Sequence, residues 1–355
     1  MATKLERISQ LSRENPDMVF TSIGHMIDKK LLKMCHEEMD GGKAVGIDGV
    51  TKEEYSKNLD ANLDDLMERL KRKAYKPQPA RRVEIPKDNG KTRPLSIYCY
   101  EDKLDADIKG FFNHLNHEWI VRFVESRIKD PNIIRLVRRT LKAGVMEDFQ
   151  FEPTEQGSGQ GSVCSPILAN IYMHYVLIWW FEERVKPRLR GYGELVVYAD
   201  DFVVCFQYKD DAEKFYELLK RRMEHFGLSM EEEKSRLIEF GRFAEENRQR
   251  RGEGKPDTFT ILGFTHYCSR SRNGKFRVKR KTSRKKFTKK CKEVHRAIRS
   301  MMTWKLPEII KRVNQILTGY FHYYGITDNS KSIAAFRYQV LRSLFFWLNH
   351  RSQQQ

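Results

Sequence analysis

Two apolar runs, Glu194–Tyr198 (ELVVY) and Phe202–Gln207 (FVVCFQ), flank an Ala-Asp-Asp tip, and no other feature of the chain restricts its fold as strongly. Both runs are rich in β-branched and aromatic residues and read as strands, with Asp201 placed at the tip by its position. Because the strands are apolar, Asp200 and Asp201 sit on a stiff scaffold. Aspartate is also a good turn residue, so the pair taken alone has a plainer reading as a turn and nothing more. A second acidic motif, Asp105-Ala106-Asp107, falls on another strand-like segment, Leu104–Phe112 (LDADIKGFF). Period-two geometry puts Asp105 and Asp107 on one face of it, and only one of them need reach the tip pair. Three carboxylates converging from two strands offer hard oxygen ligands for magnesium. Two such ions suit an in-line phosphoryl displacement, in which both the attacking and the leaving oxygen need stabilising.

The remaining pattern alternates helix and strand in the first two thirds of the chain and is helical and basic from about Lys279 onward. Thr51-Lys52-Glu53-Glu54 is a capping box opening one helix with Tyr55, Leu59, Leu63, Leu66 and Leu70 on its apolar face. Asn89-Gly90 marks a hairpin with Lys87, Lys91 and Arg93 near its tip. Ser165-Pro166 starts a helix running through ILANIYMHYVLIWWFEE. Asp210 is placed to cap a helix carrying Phe215, Leu218, Leu219, Met223 and Phe226, which Gly227 ends. The last helix starts near Ser330, with Phe336, Val340, Leu344 and Trp347 on one face. GEGKPD (252–257) reads as a short linker or loop.

Composition narrows the function. A chain of 355 residues exceeds the usual single core, so two or three domains are expected. There is no run of eighteen apolar residues and no apolar stretch in the polar N-terminus, which points to a soluble, cytoplasmic protein with no membrane partner. Six cysteines lie far apart with no Cys-x-x-Cys pair, a spacing that fits neither a zinc module nor a disulfide framework. The net charge is +18, and between Arg270 and Arg299 stand 15 Lys or Arg against one acid, Glu293, so this segment alone carries +14. Phe276, Val278, Phe287, Val294 and Ile298 interrupt it, so it is expected to fold and to bind a polyanion rather than remain a solvated tail.

At this point the residues resemble a known family. Tyr198-Ala199-Asp200-Asp201 resembles the YxDD hallmark of reverse transcriptases, and Asp107-Ile108-Lys109-Gly110-Phe111-Phe112 is similar to their first metal motif. The run Gly157–Tyr172 (GSGQGSVCSPILANIY) looks like the template- and nucleotide-facing motif of group II intron enzymes. Gly227-Leu228 through Lys234, then Ile261-Leu262-Gly263-Phe264, resemble the next two motifs in the same order, and residues 319–330 (GYFHYYGITDNS) resemble the thumb, or maturase, domain. The resemblance extends from Gly46 onward.

This likeness implies an α+β right-hand polymerase fold: a shortened N-terminal and fingers region at 1–103, a palm with an antiparallel sheet and the YADD site at 104–268, and a basic helical thumb/maturase domain at 269–355. It implies an RNA-directed DNA polymerase using Mg2+, with an RNA template, a DNA primer, deoxynucleoside triphosphates and the parent intron RNA as partners. Asp107, Asp200 and Asp201 would hold the metals, with the backbone carbonyl of Ile108 as a further ligand. Phe112 would lie under the incoming sugar and act against a 2′-hydroxyl, with an ordinary core phenylalanine as the other reading. Gln160 and Gly161 would let backbone approach the nucleotide, although Gly161 also suits the start of a helix. Lys87 and Arg93 would clamp the triphosphate and Lys234 would serve the leaving pyrophosphate, each having a solvated surface charge as its alternative. Lys279, Arg280, Lys281, Arg284 and Lys285 would face RNA phosphates.

The chain departs from the family at Gly159, where proline is usual, and at Asn113, where aspartate is usual. Between Pro94 and Asp107 several dozen family residues are missing, and SIYCYEDK runs directly into LDADIKGFF. After HRSQQQ no DNA-binding extension or endonuclease module is expected. Two further readings therefore stay open: an RNA-binding splicing factor that does not polymerise, and a decayed mobile-element copy.

Overall fold

A computed structural model of the chain describes residues 4–42, 44–86, 92–103, 116–147, 150–152, 165–199, 201–230 and 235–352. The chain forms two units, Met1–Ser235 and Arg236–Gln355, each with its own core.

The first unit opens with helices α1 (Lys4–Glu14), α2 (Lys29–Glu38), α3 (Lys52–Lys57) and α4 (Leu59–Lys71). The capping box is formed: Thr51 Oγ1 accepts from the Glu54 amide at 3.1 Å, and the Glu54 carboxylate accepts from the Thr51 amide at 2.9 Å. The single helix expected here is two, broken at Asn58 (φ −127°, ψ 36°). Leucine spacing does not register the break, because Tyr55, Leu63 and Leu66 still meet in one core with Leu32, Tyr75 and Tyr100. The Asn62 side-chain amide donates to the Tyr55 carbonyl at 3.0 Å, satisfying a group that the break would otherwise leave open.

Buried His36 ties this core together. Its Nε2 lies 3.1 Å from Ser56 Oγ and its Nδ1 lies 2.9 Å from the Tyr100 hydroxyl. Ser56 spends its own proton on the Lys52 carbonyl at 2.6 Å, so it accepts from Nε2–H and Tyr100 donates to Nδ1. Burial, aided by the nearby Lys52 charge, holds this imidazole below its ordinary pKa.

Strands β1 (Ala80–Pro86) and β2 (Thr92–Ile97) form the expected hairpin, with Arg81 opposite Ile97 and Pro86 opposite Thr92. β3 (Val145–Glu147) lies parallel to β1, and β4 (Gln150–Glu152) completes the order β2-β1-β3-β4. Helices α5 (Tyr100–Lys103), α6 (His117–Glu125) and α7 (Pro131–Leu141) follow β2 in the chain. Asp130, 3% exposed, starts α7 and accepts from the amides of Asn132 at 2.8 Å, Ile23 at 2.7 Å and Gly24 at 2.8 Å. Burial alone would raise its pKa, but these backbone donors outweigh it and hold the carboxylate below its usual range.

Helix α8 begins at Ser165 and passes without a break into two widened turns, His174–Ile178 and Phe181–Val185. There the Trp179 amide bonds the His174 carbonyl and the Lys186 amide bonds the Phe181 carbonyl, an i→i−5 pattern. Arg222 of α9 (Lys209–His225) reaches into the first widened turn. Its Nη2 donates to the Tyr175 carbonyl at 3.0 Å and its Nε to the Val176 carbonyl, while the guanidinium lies 4.8 Å from the Trp180 ring centre. No local pattern in the sequence registers this pairing, which joins residues 46 and 47 positions apart.

Asp210 does not cap α9. The residue before the helix is Tyr208, which makes no side-chain cap, and Asp210 instead pairs with Arg190 at 3.1 Å. Its neighbour Asp211, 6% exposed, accepts from the amides of Arg190 at 3.1 Å and Gly191 at 3.2 Å, so it anchors the chain before the next strand. Gly227 ends the helix as expected, at φ +72°.

The second unit holds α10 (Ala244–Arg250) and an antiparallel sheet in the order β7-β8-β9, comprising Phe259–Ile261, Phe264–Arg270 and Phe276–Thr282. The expectation of helix from Lys279 fails here, because Lys279, Arg280 and Lys281 are on β9, opposite Tyr267, His266 and Thr265 of β8. Cationic side chains hide the period-two pattern, and the pairing with β8 decides the conformation. Helices α11 (Arg284–Ser300), α12 (Leu306–Tyr324) and α13 (Ser330–Ser352) then pack around Val294, Ile298, Ile309, Val313, Tyr320, Phe336 and Val340. Asn329, 1% exposed, accepts from the Thr282 amide at 2.8 Å and donates to Thr282 Oγ1 at 2.8 Å and the Tyr324 carbonyl at 2.9 Å. It thereby pins the end of β9 to the turn between α12 and α13.

Candidate active site and nucleic-acid surface

The acidic hairpin forms, but Asp201, read as part of the tip, is the first residue of the second strand. β5 (Gly193–Tyr198) and β6 (Asp201–Phe206) pair antiparallel, with Leu195 opposite Val204, Val197 opposite Phe202 and Tyr198 opposite Asp201. Alternation sends Leu195, Val197, Phe202, Val204 and Phe206 into the largest core, against Tyr172, Phe181, Phe215, Leu219 and Met223. The other face carries Val196 and Tyr198, 55% and 62% exposed, with Asp201 exposed at the tip. Ala199 turns the chain at φ +54°, a left-handed conformation that strains a residue with a Cβ by about 1–2 kcal/mol. The tip is thus a strained turn on a ribbon whose underside rests half-buried apolar side chains on the core, an arrangement that restricts where a carboxylate points.

Of the other residues assigned to polymerase chemistry, Lys87, Asp107, Ile108, Phe112, Gln160, Gly161, Asp200 and Lys234 lie outside the described residues. Arg93 is on β2, where its backbone stands opposite Ile85. Among the described residues no three His, Cys, Asp or Glu side chains are grouped to hold a metal ion. The carboxylate described at the tip, Asp201, is a hard oxygen donor and suits magnesium chemically.

The basic surface is described in full. Arg280, Lys281, Arg284 and Lys285 are exposed and Lys279 is half-buried. Lys281 Nζ lies 5.2 Å from the Tyr267 ring centre, and Arg277 pairs with Asp328 at 3.2 Å. Helix α11 starts at Ser283, whose hydroxyl accepts from the Lys286 amide at 3.4 Å. Its first turn holds Arg284, Lys285 and Lys286 and no acid. Cations at a helix N-terminus oppose the helix dipole by a few tenths of a kcal/mol or more each, a cost that an anion lying against the cluster would offset. Sequence reasoning missed Tyr267 and Arg277, since their relation to the basic residues depends on the unrecognised β8–β9 pairing.

The carboxylate-tipped ribbon on a helical core and the cationic sheet-and-helix surface are together features of nucleic-acid-processing proteins. Residues 103–266 match the reverse transcriptase (RNA-dependent DNA polymerase) family, and residues 284–355 match the maturase-specific domain of group II introns. The chain belongs to the group II intron reverse transcriptase/maturase family, whose reverse transcriptase domain implies the right-hand polymerase fold.

The chain is similar to the group II intron-encoded protein LtrA of Lactococcus lactis subsp. cremoris, at 28% identity over 220 residues, covering 48% of this chain and 37% of the relative. It is also similar to the protein YkfC of Escherichia coli K12, at 27% identity over 187 residues, covering 38% of this chain and 49% of the relative. A third relative is an uncharacterized 91 kDa protein in the cob intron of Schizosaccharomyces pombe, at 23% identity over 222 residues, covering 48% and 28%. The chain therefore spans half or less of the length of these relatives. Among the described residues no helix is long and apolar enough to cross a membrane.

Proposed function

We propose that the chain is an RNA-directed DNA polymerase of group II intron type that also binds intron RNA as a maturase. The observation that carries this reading is the YADD ribbon, with its packed underside and strained tip, inside the matched reverse transcriptase segment. In this reading residues 1–103 supply the fingers, 104–268 the palm and 269–355 the thumb. Asp107, Asp200 and Asp201, with the Ile108 carbonyl, would hold magnesium, which when bound supplies positive charge against the phosphoryl oxygens. Lys87 and Arg93 bind the triphosphate of the incoming deoxynucleotide, and Lys234 faces the departing pyrophosphate. Gln160 and Gly161 give the nucleotide close backbone contact, and Phe112 excludes a 2′-hydroxyl. Lys279, Arg280, Lys281, Arg284 and Lys285 hold RNA phosphates. The experiment is extension of a DNA primer on an RNA template by the purified chain with magnesium and deoxynucleoside triphosphates.

A second reading, an RNA-binding splicing factor that does not polymerise, draws on the short stretch between Pro94 and Asp107. The family residues missing there would brace the triphosphate hairpin, and small misplacements of reacting groups lower rates heavily. The expectation is poor extension by the chain as it stands. A family-length insert between Lys103 and Leu104 restores extension without altering RNA binding if bracing is the defect. Vigorous extension by the unaltered chain would remove this second reading.

A further inference from the structure

Between the loop leading into α10 and the turn joining β8 to β9 lies a cleft of about 390 Å³. That volume falls at the lower end of the range for small-ligand sites and is ample for one nucleobase. One wall carries Arg242, Phe243, Glu245 and Glu246, and the other carries Arg270 and Asn273.

Both walls are braced. The Gly241 amide donates to Cys268 Sγ at 3.4 Å and the thiol donates back to the Gly241 carbonyl at 3.6 Å, which holds the loop to β8. The turn is closed by the Ser271 amide on the Lys275 carbonyl at 2.8 Å and the Gly274 amide on the Ser271 carbonyl at 3.1 Å.

The groups facing the cleft are less committed. The Phe243 ring is 62% exposed. Arg270 approaches Glu245 at 3.7 Å and Glu246 at 3.8 Å, beyond hydrogen-bond range, so the carboxylate lone pairs remain available. Among the described residues the side chains of Arg242 and Asn273 have no hydrogen-bond or ion-pair partner.

We propose that this cleft binds one unpaired guanine base. Guanine alone among the four bases presents two adjacent donors, N1–H and N2–H, on its Watson–Crick edge. A carboxylate accepts such a pair in bidentate fashion. Adenine and cytosine place an acceptor beside their amino group, and uracil offers a single N–H. Glu245 or Glu246 therefore reads guanine and discriminates against the rest. The Asn273 amide donates to O6, Phe243 stacks on the base, and Arg242 meets the flanking phosphate. Exposed bases on single strands are recognised by this combination of aromatic stacking and edge contacts. For RNA as the source of the guanine, the proposal rests on the RNA-binding reading above. A free guanine nucleotide carries the same edge.

The test uses the full chain and single-stranded octauridylates carrying one central guanine, adenine, cytosine or inosine, with fluorescence anisotropy as readout. The guanine oligonucleotide should bind about tenfold tighter than the adenine one, and inosine, which lacks the N2 amino group, should lose most of that preference. Glu245→Gln with Glu246→Gln should erase the preference, and Phe243→Ala should weaken guanine binding about tenfold. Phe243 and Glu246 are exposed and Glu245 is half-buried, and an unchanged thermal melt confirms folding. Substituting Lys279, Arg280 and Lys281 with Ala should weaken all four oligonucleotides equally and keep the preference.

Guanosine monophosphate is titrated alone in parallel. Saturable binding that the glutamine variant loses supports the site even if no oligonucleotide binds, a result that would sink the RNA-binding reading instead. Oligonucleotide binding with no guanine preference overturns the site and leaves the RNA-binding reading standing. Absence of both overturns both.

Discussion

In the proposed reading, the acidic hairpin and the basic strand–helix surface work by opposite means. β5 and β6 lay Leu195, Val197, Phe202, Val204 and Phe206, each half-buried, against the core, and the placement of the tip follows from that packing. β9 and the start of α11 gain their character from the number of cations they expose, with no acid in the first turn of α11. A site that must place a carboxylate to within a fraction of an ångström depends on its core. A surface that holds phosphates depends on charge count and tolerates imprecise placement. Packing mutations should therefore damage the first region and charge mutations the second.

The largest effect expected is at Phe181, which is fully buried and meets Phe206 at 6.4 Å and Phe215 at 5.7 Å between ring centres. Phe181→Ala should destabilise the unit holding the hairpin by about 3–5 kcal/mol in thermal or urea unfolding. The salt dependence of RNA binding should stay as in the parent, and loss of that dependence would break the contrast between the two regions.

Next in size is the charge test. Replacing Lys279, Arg280 and Lys281 with Ala should reduce the slope of log affinity against log salt by about 2, since each phosphate contact on a single strand contributes roughly 0.7. The melting temperature should barely change. An unaltered slope would mean that these cations only solvate the surface.

A smaller effect comes from pH. Burial pushes the Asp102 carboxyl up to about 6, although it accepts from the Tyr75 hydroxyl and from the Gln78 amide at 3.1 Å. A folded-state pKa above the unfolded one means that this group's stabilisation is complete below about pH 4 and is lost as pH rises through about 6. His36 works in the other direction. Its lowered pKa gives stability that is present above the ordinary histidine value and lost as pH falls. Relative to the parent, Asp102→Asn should therefore be about 2–3 kcal/mol more favourable at pH 8 than at pH 4, on top of a pH-independent loss of one acceptor for Tyr75 or Gln78. Equal effects at the two pH values would contradict a buried, ionising carboxyl.

The smallest is at the tip. Ala199→Gly should stabilise the hairpin by about 1 kcal/mol, because glycine takes the left-handed conformation freely. If the strain positions the neighbouring carboxylate, the same change lowers extension while raising the melting temperature.

Much of this fold was legible because its signals are local. The strands of the acidic hairpin, the Thr51 capping box, the Gly227 stop and the Ser330 start of the last helix all rest on residues within a few positions of one another. What escaped depends on distant partners. The charge-masked strand β9 needs β8, the break at Asn58 is concealed by a continuous leucine face, and the widened turns after α8 need Arg222 of α9. Asp210 and Asp211 are interchangeable as helix-start residues by sequence, and only the backbone of Arg190 and Gly191 distinguishes them. For the candidate site, motif order supplied the full residue set, and physical reading alone reached the Asp200–Asp201 pair, the Asp105-Ala106-Asp107 motif and the basic segment, since chemistry shared between distant strands leaves no local periodicity.

The most direct test is RNA-templated extension of a DNA primer by the full chain and by its Asp200→Asn variant, with RNA affinity measured on both preparations. The account predicts low, magnesium-dependent extension by the parent, none by the variant, and the same RNA affinity for each. Equal extension by the two chains, whether ample or absent, would contradict it.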